Sequence, residues 1–138
     1  MPVVAVVSLT TREEEVVLEA AGRAEELDTE LHVVYVLGLS WLGDLEVRLF
    51  GLLGFSAGVD RIRDICERTA DRIASTITDD YTAVGLVGRP AEEVSQYVRE
   101  VGAEYVVVDR EADWTIDVLS SFRDPRHSFD EGVTVVSV

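Results

Sequence analysis

The feature that most constrains this chain is the alternation of short, β-branched apolar runs with longer stretches whose apolar residues recur at helical spacing. Val3 to Val7 is the first such run, as expected of a strand buried on both faces of a parallel sheet. Thr10-Thr11-Arg12-Glu13-Glu14 follows and reads as a capping-box start, with a threonine hydroxyl for the orphan amides and a glutamate three residues on. Val17, Ala20, Ala21, Ala24 and Leu27 then form one apolar stripe, with Glu19, Arg23, Glu25 and Glu26 largely outside it. Leu31 to Leu37 is the second strand.

From Gly38 to Gly58 the texture changes to glycine, leucine, tryptophan and phenylalanine. This stretch is too interrupted for a lipid span and too apolar for an ordinary loop, so a partly helical excursion that buries itself is expected. Helical period returns at Val59, with Ile62, Ile65, Cys66, Thr69 and Ile73 on the inner side. Tyr81 to Val87 is a third strand. Gly88-Arg89-Pro90 turns it into a helix with proline in the first turn, where its missing N–H costs nothing. Val94, Tyr97, Val98 and Val101 make that helix's stripe, and Gly102 supplies its C-cap. Glu104 to Val108 is a fourth strand. An acidic, irregular stretch, a short helix around Thr115 to Phe122 and a polar turn at Asp124 to His127 lead to a last strand, Val133 to Val138. Strands that alternate with helices imply right-handed crossovers and a largely parallel, doubly covered sheet.

The 138 residues are one domain's worth, residues 1–138, enough for one core and too few for two. The net charge is -15, and every one of the 12 basic residues is arginine. A chain this acidic has no basic face with which to neutralise phosphates, which excludes general nucleic-acid affinity and electrostatic docking on anionic lipid. The charge fits either an acidic surface that recruits a basic partner or a proteome adapted to high cytoplasmic salt. The second is preferred, because the acids are scattered over every segment. Self-repulsion then destabilises the compact state unless ions screen it. The melting temperature is therefore expected to rise steeply with KCl, and a flat salt dependence would remove this reading.

Met1-Pro2-Val3-Val4 enters a strand at once, without the basic, apolar and cleavage regions of a signal peptide, and no apolar run approaches membrane-spanning length. Cytoplasmic location and no membrane insertion are the expectation. A lone cysteine, Cys66, permits no intramolecular disulfide, and its place on an apolar stripe makes it a buried structural thiol.

Val87-Gly88-Arg89-Pro90-Ala91-Glu92-Glu93-Val94, running through Val101-Gly102-Ala103-Glu104-Tyr105-Val106-Val107-Val108, resembles the universal stress protein pattern: a strand ending in Gly-x-Pro, a helix with an acidic start, then an apolar strand. The opening strand, the alanine-rich first helix and the terminal Val133-Thr134-Val135-Val136-Ser137-Val138 fall in the family's order, so the resemblance covers nearly the whole chain. It implies a three-layer α/β sandwich of the adenine nucleotide alpha hydrolase-like type, with a five-stranded parallel sheet of order 3-2-1-4-5 and helices on both faces. It also implies a homodimer paired through the last strand, for which Val133, Val135 and Val136 are the candidate contacts; Leu49, Phe50 and Phe55 of the apolar excursion are further candidates.

In that topology ligands bind in the crevice at the carboxyl ends of strands one and four. The candidate crevice residues are Ser8, Thr10, Val36, Gly88, Asp109 and Arg110. ATP-binding members resemble one another in an aspartate after the first strand and a glycine-rich loop after the fourth. Here Ser8-Leu9-Thr10 follows the first strand, and Asp109-Arg110-Glu111-Ala112-Asp113 stands where the glycines would be. A phosphate nest needs backbone N–H groups at close approach and often positive φ, which Asp109 and Ala112 disfavour. Asp109, Glu111, Asp113 and Asp117 would repel the anion, with only Arg110 nearby in sequence to oppose them.

The expectation is a non-enzymatic regulatory or stress-response homodimer without a cofactor, not built for ATP in the family's usual mode. One alternative is a nucleotide-binding protein with an altered site, taking ATP with Mg²⁺ and at most weakly hydrolysing it, with Ser8, Thr10 and Arg110 by the phosphates. Another is an accessory domain docking onto a membrane transporter or sensor through Leu39 to Phe55. His32 and His127 lack a second ligand at metal spacing, and the acids after strand four lack the central glycine of a calcium loop, so no metal is expected. Ser120 and Ser121 have no nucleophile-elbow glycines, so no catalytic residue is assigned. Arg89 and Arg110 could grip a small anion, but ion pairing with neighbouring acids is preferred.

Overall fold

A computed structural model describes residues 1–8, 12–38, 55–109 and 133–138. Its elements are β1 (Val3–Val7), α1 (Glu13–Glu26), β2 (Leu31–Gly38), α2 (Phe55–Ser75), β3 (Thr82–Gly88), α3 (Pro90–Val101), β4 (Tyr105–Val108) and β5 (Thr134–Ser137). The strands form one sheet in the order β3-β2-β1-β4-β5. Every pairing is parallel: Val3 lies opposite Leu31 and Tyr105, His32 opposite Thr82, and Tyr105 opposite Thr134. This is the expected α/β architecture and strand order.

The two-residue period of a strand divides the core into two layers. Val3, Ala5 and Val7 of β1 pack with Val16, Val17, Ala20 and Ala24 of α1, and with Ile62, Cys66, Ala70, Ile73 and Ala74 of α2. Val4 and Val6 turn the other way, to Val34, Val36, Val106 and Val108 and to Val94 and Val98 of α3. All five residues of β1 are buried, because neighbouring strands flank it and both its faces are covered. That explains why it reads as continuous valine and alanine with no alternation.

Several local expectations need correction. The N-cap of α1 is Arg12, which makes no side-chain capping bond; Thr10 and Thr11 lie outside the described residues. Leu27 is the C-cap and 43% exposed, so Val16 takes its place in the stripe. Ile65 is 58% exposed: the inner face of α2 runs through Ile62, Cys66, Ala70 and Ile73, and a turn of about 100° per residue carries Ile65 off it. The helix begins at Phe55, earlier than its period suggested, and the rest of the apolar excursion, 39–54, lies outside the described residues.

Two glycines act as spacers or caps. A Cβ on Gly85 would stand 2.3 Å from the Arg63 carbonyl oxygen and 2.7 Å from the Glu67 backbone nitrogen, so α2 rests directly on β3 and only glycine permits that approach. Gly102 ends α3 at φ 65°, the left-handed C-cap expected of it.

Candidate functional site

In a parallel sheet the carboxyl ends of all strands lie on one side, and a crevice opens where the direction of winding reverses. Here β1 leads by way of α1 to β2 on one side, while β4 is followed by β5 on the other. The reversal therefore falls between β1 and β4. Ser8 follows β1, Val36 lies near the end of β2, Gly88 ends β3 and Asp109 follows β4. Ser8, Val36 and Asp109 are buried. Gly88, at φ +152°, leaves room for the Glu93 side chain, which a Cβ there would meet at 2.7 Å. Thr10 and Arg110, the other candidates, lie outside the described residues, as do Glu111, Asp113 and Asp117.

Asp109 is only 1% exposed, and its carboxylate is turned onto the amino end of α1. The Arg12 backbone N–H donates to Asp109 Oδ2 at 2.7 Å. The Arg12 guanidinium closes on the same carboxylate, with Nε 3.4 Å from Oδ2 and Nη2 3.3 Å from Oδ1. Arg12 Nη2 also donates to the Val138 carbonyl at 2.7 Å, and Nη1 pairs with Glu15 at 2.9 Å. One arginine thus joins the start of α1, the end of β4 and the residue after β5. The carboxylate stands where the positive end of the helix dipole favours an anion, and it meets the first amide of the helix from 97 residues away.

Sequence reasoning missed Arg12. A signal was present: a cation at a helix N-terminus opposes the dipole, and such a local conflict asks for a partner elsewhere in the fold. The role given to Asp109 also changes. It is a buried acid paired with the Arg12 guanidinium. Beside it, a shallow pocket of about 270 Å³ is lined by Arg12, Glu13, Glu14 and Glu15, so three carboxylates surround the one guanidinium. Burial pushes the Glu13 carboxyl above its usual range, with Arg72 opposing that rise and Glu14 adding to it.

The remaining candidates have ordinary partners. Arg89 pairs with Glu92 at 3.5 Å. Cys66 is buried, and burial pushes its thiol pKa up, away from the reactive thiolate. His32 places Nδ1 2.6 Å from the Tyr97 hydroxyl and Nε2 3.3 Å from Glu30 Oε2. Val133, Val135 and Val136 are half-buried on or beside β5, a terminal strand of the sheet; Val133 and Val135 face the α3 layer and Val136 the other.

No family model matches the sequence, and no curated protein matches it. Solved structures match it over nearly its full length. A universal stress protein in complex with cAMP is 17% identical, with a TM-score of 0.57 over 99% of this chain and 95% of that one. The chain has the universal stress protein fold. A universal stress protein from Archaeoglobus fulgidus is 18% identical, with a TM-score of 0.56 over 99% of this chain and 92% of that one. A universal stress protein family protein from Arabidopsis thaliana, with AMP bound, is 14% identical, with a TM-score of 0.55 over 99% and 91%. Among the described residues no helix is long and apolar enough to cross a membrane.

Proposed function

We propose that this chain is a universal stress protein-like regulatory protein of the cytoplasm, working as a homodimer and not taking ATP in that family's usual mode. One observation supports the reading: at the β1/β4 switch point the buried Asp109 carboxylate is held by the amide and guanidinium of Arg12. A polyphosphate would have to displace a carboxylate already tethered in place and then sit beside Glu13, Glu14 and Glu15. Like charges at about 4 Å repel by roughly 1 kcal/mol each in water, and more where solvent is partly excluded.

Calorimetry with Mg-ATP in molar KCl tests this, with no measurable heat of binding expected. Tight binding would overturn the reading. Sedimentation in the same buffer should show a dimer, and a monomer would count against β5 as the pairing edge. A second reading, an altered site for a nucleoside monophosphate, draws support from the folds solved with cAMP and AMP bound. An AMP titration beside the ATP titration separates the two.

A further inference from the structure

The edge of the sheet opposite β5 is β3, and among the described residues it pairs only with β2. A terminal strand presents a row of backbone donors and acceptors to any extended segment, and proteins blunt such edges with charges, prolines or bulges. The β3 sequence, Thr82-Ala83-Val84-Gly85-Leu86-Val87-Gly88, has neither charge nor proline, in a chain of which 28% is charged. Its side chains are also incompletely covered. Thr82 is exposed, and Ala83, Val84 and Leu86 are half-buried, where the equivalent positions of β1 are fully buried.

The two faces of this edge differ in chemistry. Ala83 belongs to the α2 layer, and there a groove of about 610 Å³ runs between β3 and the helix. Asp64, Glu67 and Asp71 line it against a single arginine, Arg68, and all four are exposed. The Tyr81 hydroxyl donates to Asp71 Oδ1 at 2.6 Å and fixes the end of the groove. Gly85 lets α2 seat its backbone on the strand, which sets this acidic wall alongside the edge. On the opposite face Val84 and Leu86 offer partly open apolar surface beside the α3 layer.

A sixth strand laid along β3 would point alternate side chains to these two faces. We propose that the β3 edge docks an extended segment of a partner protein in which basic and apolar side chains alternate, the basic ones meeting Asp64, Glu67 and Asp71 and the apolar ones covering Val84 and Leu86. The surface lies on the far side of the sheet from β5 and is independent of what the crevice holds.

The probe is a synthetic peptide alternating arginine and valine over about eight residues, a strand's length. Its control has the same composition arranged as one block of arginine and one of valine, because a chain of net charge -15 attracts any basic peptide. The alternating peptide is expected to bind about tenfold tighter than the block peptide. It should also slow amide hydrogen exchange at residues 82–86. The exposed triple variant Asp64→Asn, Glu67→Gln and Asp71→Asn should keep the fold and weaken binding by about tenfold. Equal affinity for both peptides, protection elsewhere in the chain, or unaltered binding by the triple variant would overturn the proposal. Concentration-dependent protection of 82–86 without peptide would overturn it too, since the occupant would then be a second copy of this chain.

Discussion

Asp109 and His32 lie toward opposite ends of the sheet, each buried and each tied to a helix through its side chain, yet the two ties are chemically different. At the carboxyl ends of the strands a charged carboxylate meets a backbone amide and a guanidinium, and the guanidinium goes on to Glu15 and the Val138 carbonyl. Toward the amino ends, the His32 ring takes the Tyr97 hydroxyl of α3 and reaches Glu30. Glu30 can only accept, so Nε2 is the donor in that contact. A buried charge is far more costly to leave unpartnered than a phenol. The crevice end should therefore depend on its pairing more than the opposite end does.

The strongest way to break the contrast is Arg12→Ala, which takes the guanidinium away from the buried Asp109 carboxylate and keeps the backbone donor of residue 12. Arg12 is half-exposed, which lowers the cost below that of a fully buried pair, and a loss of about 2–3 kcal/mol is expected in urea melts. A loss no larger than that of Tyr97→Phe would erase the contrast. Asp109→Asn keeps an acceptor for the Arg12 amide while removing the charge, so about 1–2 kcal/mol is expected. Exchange at the amide of Val138, bonded to β4, should rise more in Arg12→Ala than in Asp109→Asn, since only the former removes the donor to the Val138 carbonyl. At the other end Tyr97→Phe should cost about 1 kcal/mol at neutral pH.

The smallest effect sharpens the comparison by pH. Burial, then Glu100 and Glu30, push the Tyr97 hydroxyl up to about 12, and burial followed by Glu13 does the same to Tyr35. Both values are raised above that of the unfolded chain, so the folded state holds these protons more tightly. Their contribution is complete below the unfolded value of about 10 and is lost as pH climbs toward 12. Stability should therefore decline across that window, with a shallower slope in Tyr97→Phe. An unchanged slope would show that this phenol is not held protonated by the fold.

The fold was legible because its signals are local. Continuous valine at β1, helical stripes at α1 and α3, proline at the start of α3 and glycine at its end each report the conformation of their own few residues. Register along a helix face was less legible: Ile65 and Leu27 looked like inner residues because apolar character alone does not fix the angle at which a helix meets a sheet. At the carboxyl ends of the strands, the aspartate that follows β4 was visible, while its partner was hidden in an apparent capping box.

By itself the sequence determined the succession of strands and helices and the acidic stretch that follows β4, since conformational preference and charge belong to individual residues. Only the tertiary structure decided that Asp109 would be matched by Arg12, a pairing that exists because β1 and β4 are neighbours in the sheet. Burial made the match necessary: once the carboxylate left water, it required a cation and donors, and the start of α1 was where the crossover brought them.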